Sequence, residues 1–144
     1  MAKGSLFQFL RDSVRAFRSD KSGNVMITFA LATIPLIGFT GAAVDYSRAN
    51  SSKAAMQAAL DSAALILSKE AQGLNSTQLN SKALSYFMAN FNRPEVQNIV
   101  ITPTFTQPQQ GNFTLNLAGT GTVPTTFTGI WTPSLTIGGS SQVL

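Results

Sequence analysis

The 144-residue chain has no cysteine and no histidine. Their absence excludes a disulfide framework, a thiolate nucleophile, a redox CxxC pair, zinc sites of the Cys/His kind and a histidine general base. Charge is scarce too: 11% of residues are charged, against about 25% in an ordinary soluble domain. Every charged residue lies between Lys3 and Glu95, so residues 96–144 carry none. With 44% hydrophobic residues, a highly charged disordered chain is also excluded. Catalysis would have to rest on six scattered carboxylates. No phosphate loop, metal cluster or nucleophile arrangement appears in the sequence. The expectation is a non-enzymatic protein with no catalytic residue, cofactor, metal or small-molecule substrate. The length allows one domain, or a small domain with an anchor.

What is present begins with an apolar run. Residues 24–44, NVMITFALATIPLIGFTGAAV, form 21 positions without a charge. At 1.5 Å per residue such a helix spans about 30 Å, the thickness of a hydrocarbon core. A chain this short cannot surround a helix that is apolar on all faces, so a buried core helix is disfavoured. The competitor is a secretory signal, with small residues from Thr40 to Val44 near a cleavage point. The run exceeds the usual h-region and a long segment precedes it, so a retained transmembrane helix is the reading adopted. Pro35 falls mid-span, where a neighbouring helix can accommodate the lost hydrogen bond. Pro35, Gly38, Gly41 and Ala42 are the candidate helix-packing residues, since small side chains permit close approach.

Orientation follows from the flanking cations. Lys3, Arg11, Arg15, Arg18 and Lys21 precede the span, whereas Arg48 and Lys53 are the near cations after it. The positive-inside rule puts the N-terminus in the cytoplasm and the bulk outside, with Tyr46 at the outer interface. Within the leader, Phe7, Leu10, Val14 and Phe17 recur at 3-4-3 spacing beside the arginines. That pattern fits a short cationic amphipathic helix on an anionic leaflet, or a partly ordered basic tail. Five cations beside a membrane span are too few for a nucleic-acid surface, so no nucleic acid is expected.

Beyond the span the helix is expected to continue from Asp45 to Gln72. Its apolar stripe is Met56, Leu60, Ala64 and Leu67, with Gly73 as the stop. Asp45 and Arg48, three apart, are expected to pair on one face. A second helix capped by Ser76 or Thr77 would bury Leu79, Ala83, Tyr86/Phe87 and Phe91, and end at Pro94. From Val96 the period changes to 2. Phe113, Leu115, Leu117, Gly119, Gly121 and Val123 alternate with Thr114, Asn116, Ala118, Thr120 and Thr122. Val96–Ile101 and Ser134–Ile137 are further strands, separated by Pro103, Pro108 to Gly111, Pro124 and Pro133. A sheet of three or four strands is expected to pack on the second helix. Its charge-free surface is either a small module neutralised by hydroxyls or a face for subunit contact.

These residues resemble the TadE/TadG-like group of Flp (tight adherence) pilus-assembly proteins, nearest to the TadG-like N-terminal segment. The resemblance runs from Ser22-Gly-Asn-Val25 through the apolar span and Gly41-Ala-Ala-Val-Asp45-Tyr46-Ser-Arg48 to Met56-Gln-Ala-Ala-Leu-Asp61-Ser-Ala-Ala64. Val123-Pro-Thr-Thr-Phe127 and Ser134-Leu-Thr-Ile137 are more loosely similar to the family's closing pattern. The resemblance implies a bacterial inner-membrane protein with its bulk in the periplasm, serving pilus biogenesis or surface attachment. It marks Gly41, Asp45, Tyr46 and Arg48 as a membrane-exit motif and Gly23 as a candidate processing point; Gln57 and Asp61 are a candidate assembly contact, with Asp61 in its alanine-rich face either solvated or between subunits. The chain departs from longer relatives in lacking an Asp-x-Ser-x-Ser metal motif. It departs from pilins cut by a prepilin peptidase in having Thr28 where they carry Glu.

The resulting expectation is an α+β membrane-anchored, pilin-like protein. Residues 1–23 form a basic cytoplasmic leader, 24–44 a single-pass transmembrane helix, 45–92 a periplasmic helical region and 93–144 a small antiparallel β module. Its partners would be membrane lipid, other Tad/Flp components and further copies of itself. The function expected is that of an assembly or minor-pilin-like subunit. The alternatives are a processed or secreted filament subunit and a membrane-bound binding module unrelated to pili.

Overall fold

The computed structural model describes residue 11, residues 23–109 and residues 112–144. The expected amphipathic leader helix and the flanking cations other than Arg11, Arg48 and Lys53 lie outside the described residues. In order, the elements are helix α1 (Gly23–Ser68), a 3-10 turn (Ala71–Gly73), helix α2 (Ser76–Asn90) and strands β1 (Gln97–Gln109), β2 (Asn112–Pro124) and β3 (Ser134–Val143). The chain divides into two units, residues 1–40 and residues 41–144.

In the first unit, residues 25–40 of α1 are exposed on every side except at Thr33. Met26 and Phe39 are each 78% exposed, so this stretch is not the core helix of a soluble fold. α1 is long and apolar enough to cross a membrane. Its hydroxyls turn inward on the helix: Thr33 Oγ1 donates to Phe29 O and Thr40 Oγ1 to Leu36 O, both at 2.8 Å. Such bonds satisfy a polar group without help from water. Pro35 sits inside the helix, and a Cβ at Gly38 would meet nothing within 4 Å.

The second unit holds the core. Its buried helical stripe contains Met56, Leu60, Ala64 and Leu67 as expected, and adds Ala59 and Ala63. It also runs further back, through Ser52, Ala49 and Asp45 to Gly41. The intervals are those of one helix face. α1 ends at Ser68, and the 3-10 turn closing on Gly73 carries the chain to α2. Asn75 caps α2, one residue before the expected Ser76. Its side chain accepts from Gln78 N at 2.9 Å, and Gln78 Oε1 accepts from Asn75 N at 3.1 Å, a reciprocal capping box. α2 buries Leu79, Ala83 and Phe87, and Phe87 stacks on the buried Phe91 at 4.8 Å. Glu70 joins the two helices, accepting from Lys82 Nζ at 2.5 Å and Tyr86 Oη at 2.6 Å. The Lys82 hydrogen bond, then that of Tyr86, holds the Glu70 carboxyl below its ordinary value against the opposing effect of burial.

The sheet is antiparallel in the order β1-β2-β3. One expectation is corrected here and another is extended. The first concerns the breakers. Pro103 lies within β1, paired with Leu117, and Pro108 also falls inside that strand. β1 is an edge strand, where a proline need not donate to the ladder. The second concerns what covers the sheet. α2 lies against β1, as expected, and the outer half of α1 also reaches the sheet, through its side chains. A Cβ added at Gly119 would approach Leu60 Cδ2 at 3.1 Å, and one at Gly121 would approach Met56 Cε at 3.3 Å. Glycines in β2 thus lower the sheet surface where two large α1 side chains seat. Leu115, Leu117 and Val123 complete that face, and Thr120 and Asn116 are exposed on the other, as the alternation predicts. A bulge interrupts the β1–β2 register after Gln97. There Asn98 takes φ of 52°, a left-handed conformation that Asn tolerates.

Leu60 is fully buried between α1 and the glycine floor of β2. Leu60→Ala should cost about 2–5 kcal/mol, the range for a large-to-small core change. Denaturant unfolding of the full chain in detergent, against the wild type, measures that loss.

Candidate functional site

Three consecutive backbone N–H groups need an acceptor where the chain leaves β2. Thr126, Phe127 and Thr128 lie in an irregular loop with no ladder partner for them. Asp45, one turn beyond Gly41 on α1, supplies it. Its Oδ1 accepts from Thr126 N, and its Oδ2 from Phe127 N and Thr128 N, each at 2.9 Å. Thr128 Oγ1 adds a fourth bond to Oδ2 at 3.0 Å. A carboxylate received by successive amides is an anion nest filled from within the chain. Asp45 is 3% exposed. Burial works against its charge, but the Thr126, Thr128 and Phe127 amides and the Thr128 hydroxyl outweigh it, lowering the carboxyl from 3.8 to about 2.

Two of the other three motif residues, Arg48 and Gly41, gather around this bond. Arg48 does not pair with Asp45, contrary to the sequence expectation. Its Nη1 donates to Thr126 Oγ1 at 2.7 Å, and Asp45 is already saturated by the loop. Among the described residues the ion pairs are Lys82–Glu70 and Arg93–Glu95. Gly41 is buried under Phe127: a Cβ there would lie 2.4 Å from Phe127 Cβ and 2.8 Å from its Cγ. Neither is the free end of a flexible chain, so position 41 requires glycine for this seat. Tyr46 points away, 70% exposed. The loop closes on itself: Thr125 N donates to Pro133 O at 3.1 Å, Thr132 N to Thr128 O at 2.8 Å, and Thr125 Oγ1 to Thr132 O.

Residues 23–66 match the Tad family, described as putative Flp pilus-assembly TadE/G-like. The match covers all four motif positions on α1 and supports a role connected with pilus assembly. It ends well before the loop that Asp45 holds. The chain matches no curated protein and no solved structure.

Of the other positions singled out in the sequence, Gln57 and Asp61 are brought together. Gln57 Nε2 donates to Asp61 Oδ1 at 2.9 Å and to Ser140 O on β3 at 2.8 Å. Gly139 makes room for this, since a Cβ there would fall 2.4 Å from Gln57 Oε1. Asp61 remains exposed, Ala42 is half-buried, Pro35 and Gly38 lie on the open stretch of α1, and Gly23 is the first residue of that helix. Among the described residues no three potential metal-binding carboxylates gather. Sequence reasoning missed two participants. One is Ser52, fully buried and donating to Glu95 Oε1 at 3.0 Å. The other is the loop from Thr125 to Thr128, noticed in sequence only through its Val123–Phe127 similarity. Nothing in its side-chain pattern marks it as the partner of Asp45, because every non-proline residue carries the same backbone donor.

Because the Asp45 carboxyl lies below its ordinary value, it stabilises the fold above about pH 4 and loses that effect as pH falls toward about 2. Asp45→Asn presents an NH2 group to amide donors and should lower Tm by on the order of 5–10 °C. It should also flatten the pH dependence of Tm across that window. Gly41→Ala should displace Phe127 and lower Tm, whereas Gly38→Ala should leave this unit unchanged; thermal scans in detergent compare the three variants.

Proposed function

We propose that the chain is a membrane-anchored, non-enzymatic assembly or minor-pilin-like subunit of a Tad/Flp pilus system. The observation that carries this reading is the TadE/G-like match over residues 23–66. It coincides with a helix whose first stretch is apolar and uncovered, and whose later stretch organises a small sheet. The cations at 3, 11, 15, 18 and 21, against Arg48 and Lys53, argue for a cytoplasmic N-terminus and a periplasmic C-terminal bulk in a bacterial inner membrane. In this reading residues 1–23 are the leader, 24–44 the span, 45–92 the helical region and 93–144 the partner-facing module. Gly41, Asp45 and Arg48 set the start of the folded part through the loop they hold. Pro35, Gly38 and Ala42 offer a close-packing face in lipid, to another copy or to another Tad component.

The outward face of the sheet supports the partner role. Thr102, Thr104, Thr120, Thr136 and Ser140 are exposed and uncharged there, so neither sign of charge repels a neighbour. On the helix-covered side, Gln57 ties α1 to β3 and holds the exposed Asp61 as one carboxylate at that edge.

Alkaline carbonate should leave the full-length protein in the membrane, and quantitative release would overturn the anchor. A photo-crosslinking residue at Thr120 should give adducts with other Tad components in cells that carry the system; their absence would remove the assembly role. Intact-mass measurement should find the leader retained, whereas a mature start at Asn24 would make this a processed filament subunit.

A further inference from the structure

The loop held by Asp45 has a tip that water does not suit. Between β2 and β3 the chain exposes Phe127 at 53%, Ile130 at 86% and Trp131 at 78%, with no charge from Val96 onward. Turns that face solvent are ordinarily built from Gly, Asn, Asp, Ser and Pro. Contiguous exposed apolar groups of this size mark a surface that meets something.

The loop's attachment says what it meets. Asp45 is the first residue after the uncharged run of α1, and Gly41, under Phe127, belongs to the last turn of that run. The loop therefore lies along the last turn of the uncharged run, from Asp45 to Gly41. Trp and Tyr favour the membrane–water interface, where an apolar ring and a polar edge are both satisfied. Exposed Tyr46 lies at the same helical level, and Arg48, which also bonds the loop through Thr126, is a cation suited to a lipid phosphate. The tip is pre-shaped: Trp131 N donates to Thr128 O at 2.9 Å and Thr132 N to the same carbonyl at 2.8 Å. Insertion would then order little that is not already ordered.

We propose that Ile130 and Trp131 seat in the headgroup–acyl boundary of the bilayer that α1 crosses, giving the chain a second, interfacial membrane contact beside its span. This rests on the proposed anchoring by residues 24–44. The occupant is lipid rather than protein because the loop is tied to the point where the apolar run ends.

Trp131 is the only tryptophan, so intrinsic fluorescence reads the tip alone. The full-length protein is reconstituted in vesicles of phosphatidylcholine and phosphatidylglycerol containing phosphatidylcholines brominated at graded depths. Emission should be blue-shifted and quenched roughly twofold by shallow bromines, and less by deep ones, as for an interfacial ring. Ile130→Asp, a change at an exposed position, should red-shift the emission and abolish quenching without changing Tm. Carbonate extraction of the same vesicles separates the two claims. Retained protein with water-exposed, unquenched Trp131 overturns the interfacial contact and leaves the anchor standing. Retained protein whose emission shifts with protein density but ignores bromolipid shows a protein neighbour at the tip, and also overturns it. Release by carbonate removes the anchor and this inference together.

Discussion

Asp45 accepts four hydrogen bonds from one loop, three of them from consecutive backbone amides. Much of the second unit depends on that contact. Without the carboxylate the part-buried amides of residues 126–128 would lose their acceptor, at a cost in stability. With it, the turn between β2 and β3 is fixed to α1 at the point where the helix ceases to be uniformly apolar. Both strands are thereby set against the same helical face.

That face is built for close approach. Gly41 admits Phe127, Gly119 and Gly121 receive Leu60 and Met56, and Gly139 makes room for Gln57. At these four places bulk on one element meets absence of side chain on the other. A sheet of three strands has little area to bury, so close approach by a long helix supplies contacts that flat packing would not. The ends are held by polar groups instead: Arg48 and Asp45 at the loop, and Glu70 with Lys82 and Tyr86 where α1 passes to α2.

The TadE/G-like match and the structure divide the chain differently, and the difference is informative. The match covers residues 23–66, nearly all of α1. It therefore includes the carboxylate, the arginine and the glycine that hold the loop, but not the loop. A helix bearing Gly41, Asp45 and Arg48 is prepared to receive a turn with free amides and a flat ring. The sheet module supplies that turn, together with a neutral outer face and an aromatic tip.

Periodicity alone revealed the helical stripe from Met56 to Leu67, the alternation in β2 and the stripe of α2, because large apolar side chains at those intervals have one physical use. The uncharged run of 21 residues and its length were equally legible. The stripe's continuation through Ser52, Ala49, Asp45 and Gly41 was not, since small and polar residues carry no hydrophobic period. Pro103 and Pro108 read as breakers because local propensity cannot tell an edge strand from a central one. The Asp45–Arg48 pair was the expected local contact, three residues apart. Tertiary structure decided otherwise by bringing amides 81–83 positions away within 2.9 Å of the carboxylate. The sequence by itself determined the two helical stripes, the alternation of β2 and the apolar span, all of which follow from side-chain pattern along the chain. Only the tertiary structure decided what Asp45 binds and where the aromatic loop is held. Partners far apart in sequence leave no periodic trace, and backbone donors leave none at all.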